Sequence, residues 1–153
     1  MLAIRGTGDV LGEMAMIDGR TRSATVAALT PVSAVILEPP VDDLLTRPSI
    51  SRALLMIIVR RLREADRRRV RFGRANVTER VAYLLAGLAE HGYEQRSKVI
   101  IDFVSQEDLA SAVGATRPTV NRSLSQLSRQ GILTTEGQRI SILDLERLRR
   151  TGG

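Results

Sequence analysis

The chain has 153 residues, room for one or two small domains, and 43% of them are hydrophobic, which places it among globular rather than disordered proteins. Lys and Arg number 23 against 17 acids, a net charge of +6 that favours a polyanionic partner such as nucleic acid. Lys98 is the sole lysine, so the basic surface is almost wholly guanidinium, suited to bidentate contact with phosphate and guanine. The absence of cysteine excludes disulfides, thiolate zinc sites and a cysteine-ligated cluster.

From Met1 to about Glu38 the pattern predicts short β-strands punctuated by turns, at Leu2–Ile4, Ala24–Ala28 and Val32–Glu38, with one helical turn from Glu13 to Ile17. Within it lie Gly12-Glu13-Met14-Ala15-Met16 and Arg22-Ser23-Ala24-Thr25-Val26. An arginine beside a serine supplies donors for an anion, and a glutamate accepts from hydroxyl groups. The alternative is that Glu13 and Arg22 simply pair with each other.

Pro39, Pro40 and Pro48 mark the exit from this region, and a long helix is expected from about Ser49 to Arg71 or Arg74. Leu55, Ile58, Leu62, Ala65, Arg69 and Phe72 recur at alternating steps of three and four, the spacing of a coiled-coil seam. Leu54, Ile57 and Ile50 point to a second apolar face. One face is expected to meet a twin helix and the other to cover the β region.

Asn76-Val77-Thr78-Glu79 has the form of a capping box opening the next helix, whose buried stripe is Val81, Leu84, Leu85 and Leu88 and which Gly92 is expected to stop. Val99–Val104 reads as a strand. Ser105 followed by Asp108 starts another helix, Gly114 permits a left-handed turn, and Thr116 is an N-cap with Pro118 tolerated in the first turn behind it. With Ala110 at the corner and Val120, Leu124 and Leu127 inward, this is a helix-turn-helix whose second helix runs from about Arg117 to Arg129 and shows Arg117, Thr119, Asn121 and Arg122 outward. Arginine reads guanine and asparagine reads adenine by paired hydrogen bonds, while Thr119 is assigned to phosphate. Ile132–Thr135 and Arg139–Ile142 form a hairpin, or wing, around Glu136-Gly137. Asp144 caps a last short helix carrying Leu145 and Leu148, and Thr151-Gly152-Gly153 is expected to fray.

In order, the cassette at Gly12-Glu13 and Arg22-Ser23-Ala24, the long helix, Asn76-Val77-Thr78-Glu79-Arg80-Val81-Ala82, Ser105-Gln106-Glu107-Asp108-Leu109-Ala110 and Gly114 through Arg122 resemble the bacterial Crp/Fnr family of transcription regulators. The resemblance covers nearly the whole chain. It implies an α+β fold in three parts: a partial cyclic-nucleotide-binding-like β-roll over residues 1–47, a dimerisation helix and hinge over 48–74, and a winged helix-turn-helix over 75–149. It also implies a cytoplasmic homodimer on a two-fold symmetric DNA operator, working with RNA polymerase as activator or repressor, and no membrane partner. Arg117 and Arg122 are then the base readers, with Asn121 beside them, and Thr78, Ser105, Gln106, Thr116 and Thr119 position phosphates.

The implied effector is a cyclic nucleotide, its ribose on Glu13 and its phosphate on Gly12, Arg22 and Ser23. The implied seam is Leu55, Ile58, Leu62, Ala65 and Phe72. Pro118 stands where many members carry a glutamate that accepts from cytosine, so a different half-site is expected. Ala65 and Asp66 stand where cyclic-AMP-binding members carry a Thr-Ser pair, and the β-roll normally has many more residues ahead of the cassette, so a native start upstream of Met1 is expected. The competing function is a nucleotide-sensing module acting through protein contacts. An enzyme ranks last, because no metal-ligand cluster, cysteine nucleophile or Walker-type loop is present and there is one histidine.

Overall fold

In the computed structural model, which describes residues 5–37 and 41–153, the chain divides into two compact units: residues 7–70, and residues 71–153 together with residues 5 and 6. The expected strand at Leu2–Ile4 and the prolines Pro39 and Pro40 lie outside the described residues.

In the first unit, α1 (Glu13–Asp18) opens after a left-handed Gly12, φ 85°, and closes on a left-handed Gly19. α2 (Val41–Leu45) precedes the long α3 (Pro48–Arg74), within which the division falls. Leu54 is buried and Ile50 and Ile57 half-buried, so the second apolar face expected of this helix is covered. Residues 24–37 form no strand, which corrects the expectation for Ala24–Ala28 and Val32–Glu38 over their described part. A strand exists only through its ladder, and no segment among the described residues pairs with this one; Val26, Val32, Val35, Ile36 and Leu37 stand exposed.

The second unit is built around α4 (Val77–Leu88), α5 (Gln106–Val113) and α6 (Arg117–Arg129), closed by α7 (Leu145–Gly152). Its sheet has the order β1-β2-β4-β3, with β1 (Tyr93–Gln95), β2 (Lys98–Ile101), β3 (Leu133–Glu136) and β4 (Arg139–Ile142) all antiparallel to their neighbours. Val81, Leu85, Leu88, Leu109, Val113, Val120, Leu124 and Leu127 from the helices meet Ile101, Leu133, Ile140, Ile142 and Leu148 in one aliphatic core. The 3.6-residue periodicity of the helices supplies one side and the two-residue alternation of β4 the other.

The β1–β2 hairpin is a finding that the sequence pattern did not contain. Its two-residue turn is Arg96-Ser97, both at positive φ (50° and 60°), where the usual Asn-Gly signal is absent. The helical run does stop at Gly92, as expected, but not by a left-handed turn. Its φ is −73°, and α4 passes through a 3-10 turn at Ala89–His91 that Gly92 caps. Glycine is required there because a Cβ would stand 2.6 Å from the Ile100 carbonyl oxygen. Nor does the C-terminus fray, since Gly152 is buried against α4.

Candidate nucleic-acid interface

The corner between α5 and α6 is assembled by local chemistry. The Ser105 hydroxyl accepts from the Asp108 amide at 3.1 Å and donates to Asp108 Oδ2 at 2.6 Å, while the Ser105 amide donates to the same carboxylate at 3.1 Å. Gly114 follows at φ 62°, and its amide and that of Ala115 return to α5 carbonyls. Thr116 is the N-cap of α6 by position, but its hydroxyl meets the Thr119 hydroxyl at 2.9 Å rather than a backbone amide.

The Ser105 hydroxyl donation, followed by the donation from the Ser105 amide, holds the Asp108 carboxyl below its ordinary value of 3.8, against an opposing effect of burial. A carboxylate whose folded pKa is depressed stabilises the fold above its unfolded pKa, and that contribution disappears as pH falls through the folded value. Ser105→Ala is therefore expected to cost about 1 kcal/mol at neutral pH. The difference from wild type in urea unfolding should be level from pH 7 to about 5 and shrink below about 4, in step with protonation of Asp108. A difference that grows on acidification contradicts the assignment.

α6 divides into flanks. Val120, Leu124 and Leu127 face the core. Thr119, Arg122, Ser123 and Gln126, at i, i+3, i+4 and i+7, form one stripe, and Ser123 and Gln126 reach α4: the Thr78 hydroxyl lies 3.1 Å from Ser123 Oγ and 3.3 Å from Gln126 Oε1. Asn76, Val77, Thr78, Thr119, Arg122, Ser123 and Gln126 line a single open cleft. Asn76 caps α4, accepting from the Glu79 amide at 3.0 Å while Glu79 accepts from the Asn76 amide. The Val77 and Thr78 amides, at the first two positions of α4, have no intrahelical acceptor and form the positive end of the helix.

The opposite flank of α6 turns to α5. Arg117 Nε donates to Gln106 Oε1 at 3.4 Å, and Asn121, one turn further along the same flank, has its Oδ1 buried without a hydrogen-bond partner among the described residues. Thr119 and Asn121 were expected outward; both are instead half-buried, Asn121 on the flank it shares with Arg117. Thus Thr78, Thr119 and Arg122 are gathered in one cleft, Gln106 and Arg117 sit together across the turn, and Ser105 is spent on its cap. Periodicity pointed to neither Ser123 nor Gln126 as part of this surface. Their i+4 and i+7 spacing from Thr119 is the signal that could have found them.

Residues 79–151 match the model of the Crp-like helix-turn-helix domain. The CRP-like cAMP-activated global transcriptional regulator of Mycobacterium tuberculosis is 32% identical, across 98% of this chain and 69% of its own length. This chain belongs to the Crp/Fnr family of transcription regulators. The cyclic AMP receptor protein of Thermus thermophilus is 31% identical over 86% of this chain and 60% of its own length. Among solved structures, a CRP/FNR-family transcriptional regulator, also from Thermus thermophilus, aligns with a TM-score of 0.66 at 30% identity, over 69% of this chain and 55% of that one. The chain thus spans between about half and two thirds of the relatives it matches. Members of the family bind DNA through this helix-turn-helix.

The cassette that carried the family resemblance lies in the first unit. Arg22 rests its guanidinium on Gly12, where a Cβ would stand 2.5 Å from Nη1, and Ser23 is exposed beside it. Glu13 is 3% exposed and pairs with Arg61 of α3, a partner that neither reading of the sequence named. Along α3, Leu55, Ile58, Leu62 and Ala65 are exposed, the first three at 60%, 37% and 61%. Phe72 is half-buried, its ring edge-on to Tyr83 at 6.0 Å and 6.0 Å from the Arg80 guanidinium carbon. Its place in the seam is thus already partly taken within the chain. No helix among the described residues is long and apolar enough to cross a membrane.

Proposed function

We propose that this protein is a cytoplasmic, sequence-specific DNA-binding regulator that acts as a homodimer, with α6 in the major groove and the α4 cleft on the phosphate backbone. The observation that carries this reading is the cleft itself. Two amides without an intrahelical acceptor at the start of a twelve-residue helix converge with Thr78 and Thr119 on one surface, which suits a phosphate at the groove edge. Arg122, exposed on α6, is assigned to base reading. Arg117, exposed and steadied by Gln106, reads the adjacent base. Asn121 supports that flank from beneath rather than reading adenine. The exposed Leu55, Ile58, Leu62 and Ala65 stripe is the dimer seam, which spaces two half-sites on a two-fold symmetric operator.

Relatives named for cyclic AMP make a cyclic nucleotide the effector to consider. Gly12, Arg22 and Ser23 fit an anion clamp. Glu13 pairs with Arg61 through one carboxylate oxygen, which leaves the other as an acceptor for a ribose hydroxyl.

Selection from randomised duplex DNA at near-physiological salt tests the operator reading. Enrichment of inverted half-sites about one helical turn apart is expected, and retention of DNA without a motif contradicts it. On the selected operator, Arg122→Ala should cost about 1–3 kcal/mol and relax preference at one half-site position, whereas Thr119→Ala should weaken all sequences alike. Equal loss of discrimination in both variants contradicts the division of α6 into reading and positioning residues.

A further inference from the structure

Three polar side chains join α6 to the start of α4, and only one of them keeps a free donor. The Thr78 hydroxyl lies 3.1 Å from Ser123 Oγ and 3.3 Å from Gln126 Oε1. It has one proton, and an amide oxygen can only accept. Thr78 therefore donates to Gln126, and the Ser123 hydroxyl makes the other bond by donating to Thr78. Ser123 is 4% exposed, so its hydroxyl is cut off from water and needs that partner. The bonds run one way, from Ser123 through Thr78 to Gln126 Oε1, and they use up the proton of Thr78.

What remains at the end is the other half of the Gln126 amide. Its Nε2 carries two donor hydrogens and makes no hydrogen bond among the described residues. Gln126 is exposed and lines the same cleft as Val77 and Thr78. It stands one turn beyond Arg122, about 6 Å further along α6. Recognition helices reach base edges with their first turns, so a donor this far along, beside the start of α4, meets backbone rather than bases. With Oε1 held by Thr78, the amide is oriented before DNA arrives, and less freedom is lost on binding.

We propose that Gln126 Nε2 is a phosphate donor and that Thr78 and Ser123 are its positioning residues, the Thr78 hydroxyl orienting Gln126 instead of donating to phosphate itself. The inference rests on the operator reading given above and names the side chain that takes the phosphate at the α4 cleft.

The test is fluorescence anisotropy of the full chain across a salt series, on the selected operator and on single-base variants of it. Gln126→Leu should weaken binding about fivefold on every duplex alike, since a phosphate contact carries no sequence information. The slope of log K against log salt should not change, because no charge is removed. Gln126→Lys places a charge at the same point and should steepen that slope by about 0.9, the release of one counterion. Thr78→Val should weaken binding about threefold, yet Gln126→Leu/Thr78→Val should stay within about twofold of Gln126→Leu, because without the amide the hydroxyl has nothing to orient. Gln126 is exposed, so its leucine and lysine variants keep the fold, and they carry the test should Thr78→Val unfold by circular dichroism.

Gln126→Leu binding within about twofold of wild type overturns the proposal, as does an unchanged salt slope in Gln126→Lys. A loss confined to one half-site position makes Gln126 a base reader and refutes it. A double variant weaker than Gln126→Leu by the full Thr78 factor returns the phosphate to the Thr78 hydroxyl and refutes it too. With a motif selected, each of these failures leaves the operator reading standing. No motif at any salt concentration removes both.

Discussion

Leu62→Glu is expected to leave a folded monomer in sedimentation velocity and to weaken binding to the full inverted repeat by at least about a hundredfold. Leu62 is 61% exposed in the single chain, with Leu55 at 60% and Ile58 at 37% on the same stripe. Burying side chains of this kind is worth about 1.5–3 kcal/mol each, so three from each protomer can hold two helices together. In the proposed dimer a carboxylate at the centre of the seam would face its own copy across the two-fold axis and lose water on both sides, which would reverse the sign of the contact. The helix itself should survive, because Glu is nearly as good a helix former as Leu and Leu54 on the covered face is untouched. Affinity for an isolated half-site should therefore stay near wild type, and the whole loss should appear on the repeat, where linked binding is forfeited. A Leu62→Glu chain that still sediments as a dimer removes the seam from α3.

What the sequence made legible follows from the range of each interaction. The starts of α4 and α5 were readable because a capping box is closed within four residues, Asn76 with Glu79 and Ser105 with Asp108, and both boxes are present. The α5–α6 corner was readable for the same reason, through Gly114 and Val120. The position of Asn121 was not. A single helix cannot say which flank its neighbour covers, and it took the contact between Gln106 and Arg117 to show that α5 closes over that side. The β1–β2 hairpin was missed because Arg96 and Ser97 adopt left-handed conformations without the residues that normally advertise them. Strands were expected at Ala24–Ala28 and Val32–Glu38 because short apolar runs between turns were read as strands, and such a run says nothing about whether a partner is there to pair with it. Glu13 was assigned to a ribose or to Arg22, while its partner Arg61 lies 48 residues away in the chain, a distance at which spacing rules carry no information.

Gly152→Val is expected to destabilise the 71–153 unit by about 3 kcal/mol in urea unfolding, through overpacking with no direction in which to relax. Gly152 ends α7 and is buried on α4, where a Cβ would stand 2.7 Å from both the amide nitrogen and the Cα of Tyr83. Those are backbone atoms of a helix whose Val81, Ala82 and Leu85 are fully buried beneath, so α4 cannot give way. Relief must come from α7, which is held by Leu148 in the core and by Asp144 Oδ1 accepting from the Arg147 amide at 2.9 Å. Either α7 lifts and exposes Leu148, or Tyr83 shifts and loses its edge-on contact with Phe72. Both routes cost burial, which is why the residue next to the last should matter as much as one in the core. Arg150→Ala, exposed on the same helix, is the control and should stay within about 0.5 kcal/mol of wild type. Below its unfolding midpoint the valine variant should still select the wild-type DNA motif, because the strain falls on α4 and α7 while Arg117 and Arg122 are set by α5 and α6. A valine variant as stable as the alanine control would mean that the C-terminal turn is free to move, and the packing of Gly152 on Tyr83 would then contribute nothing to the fold.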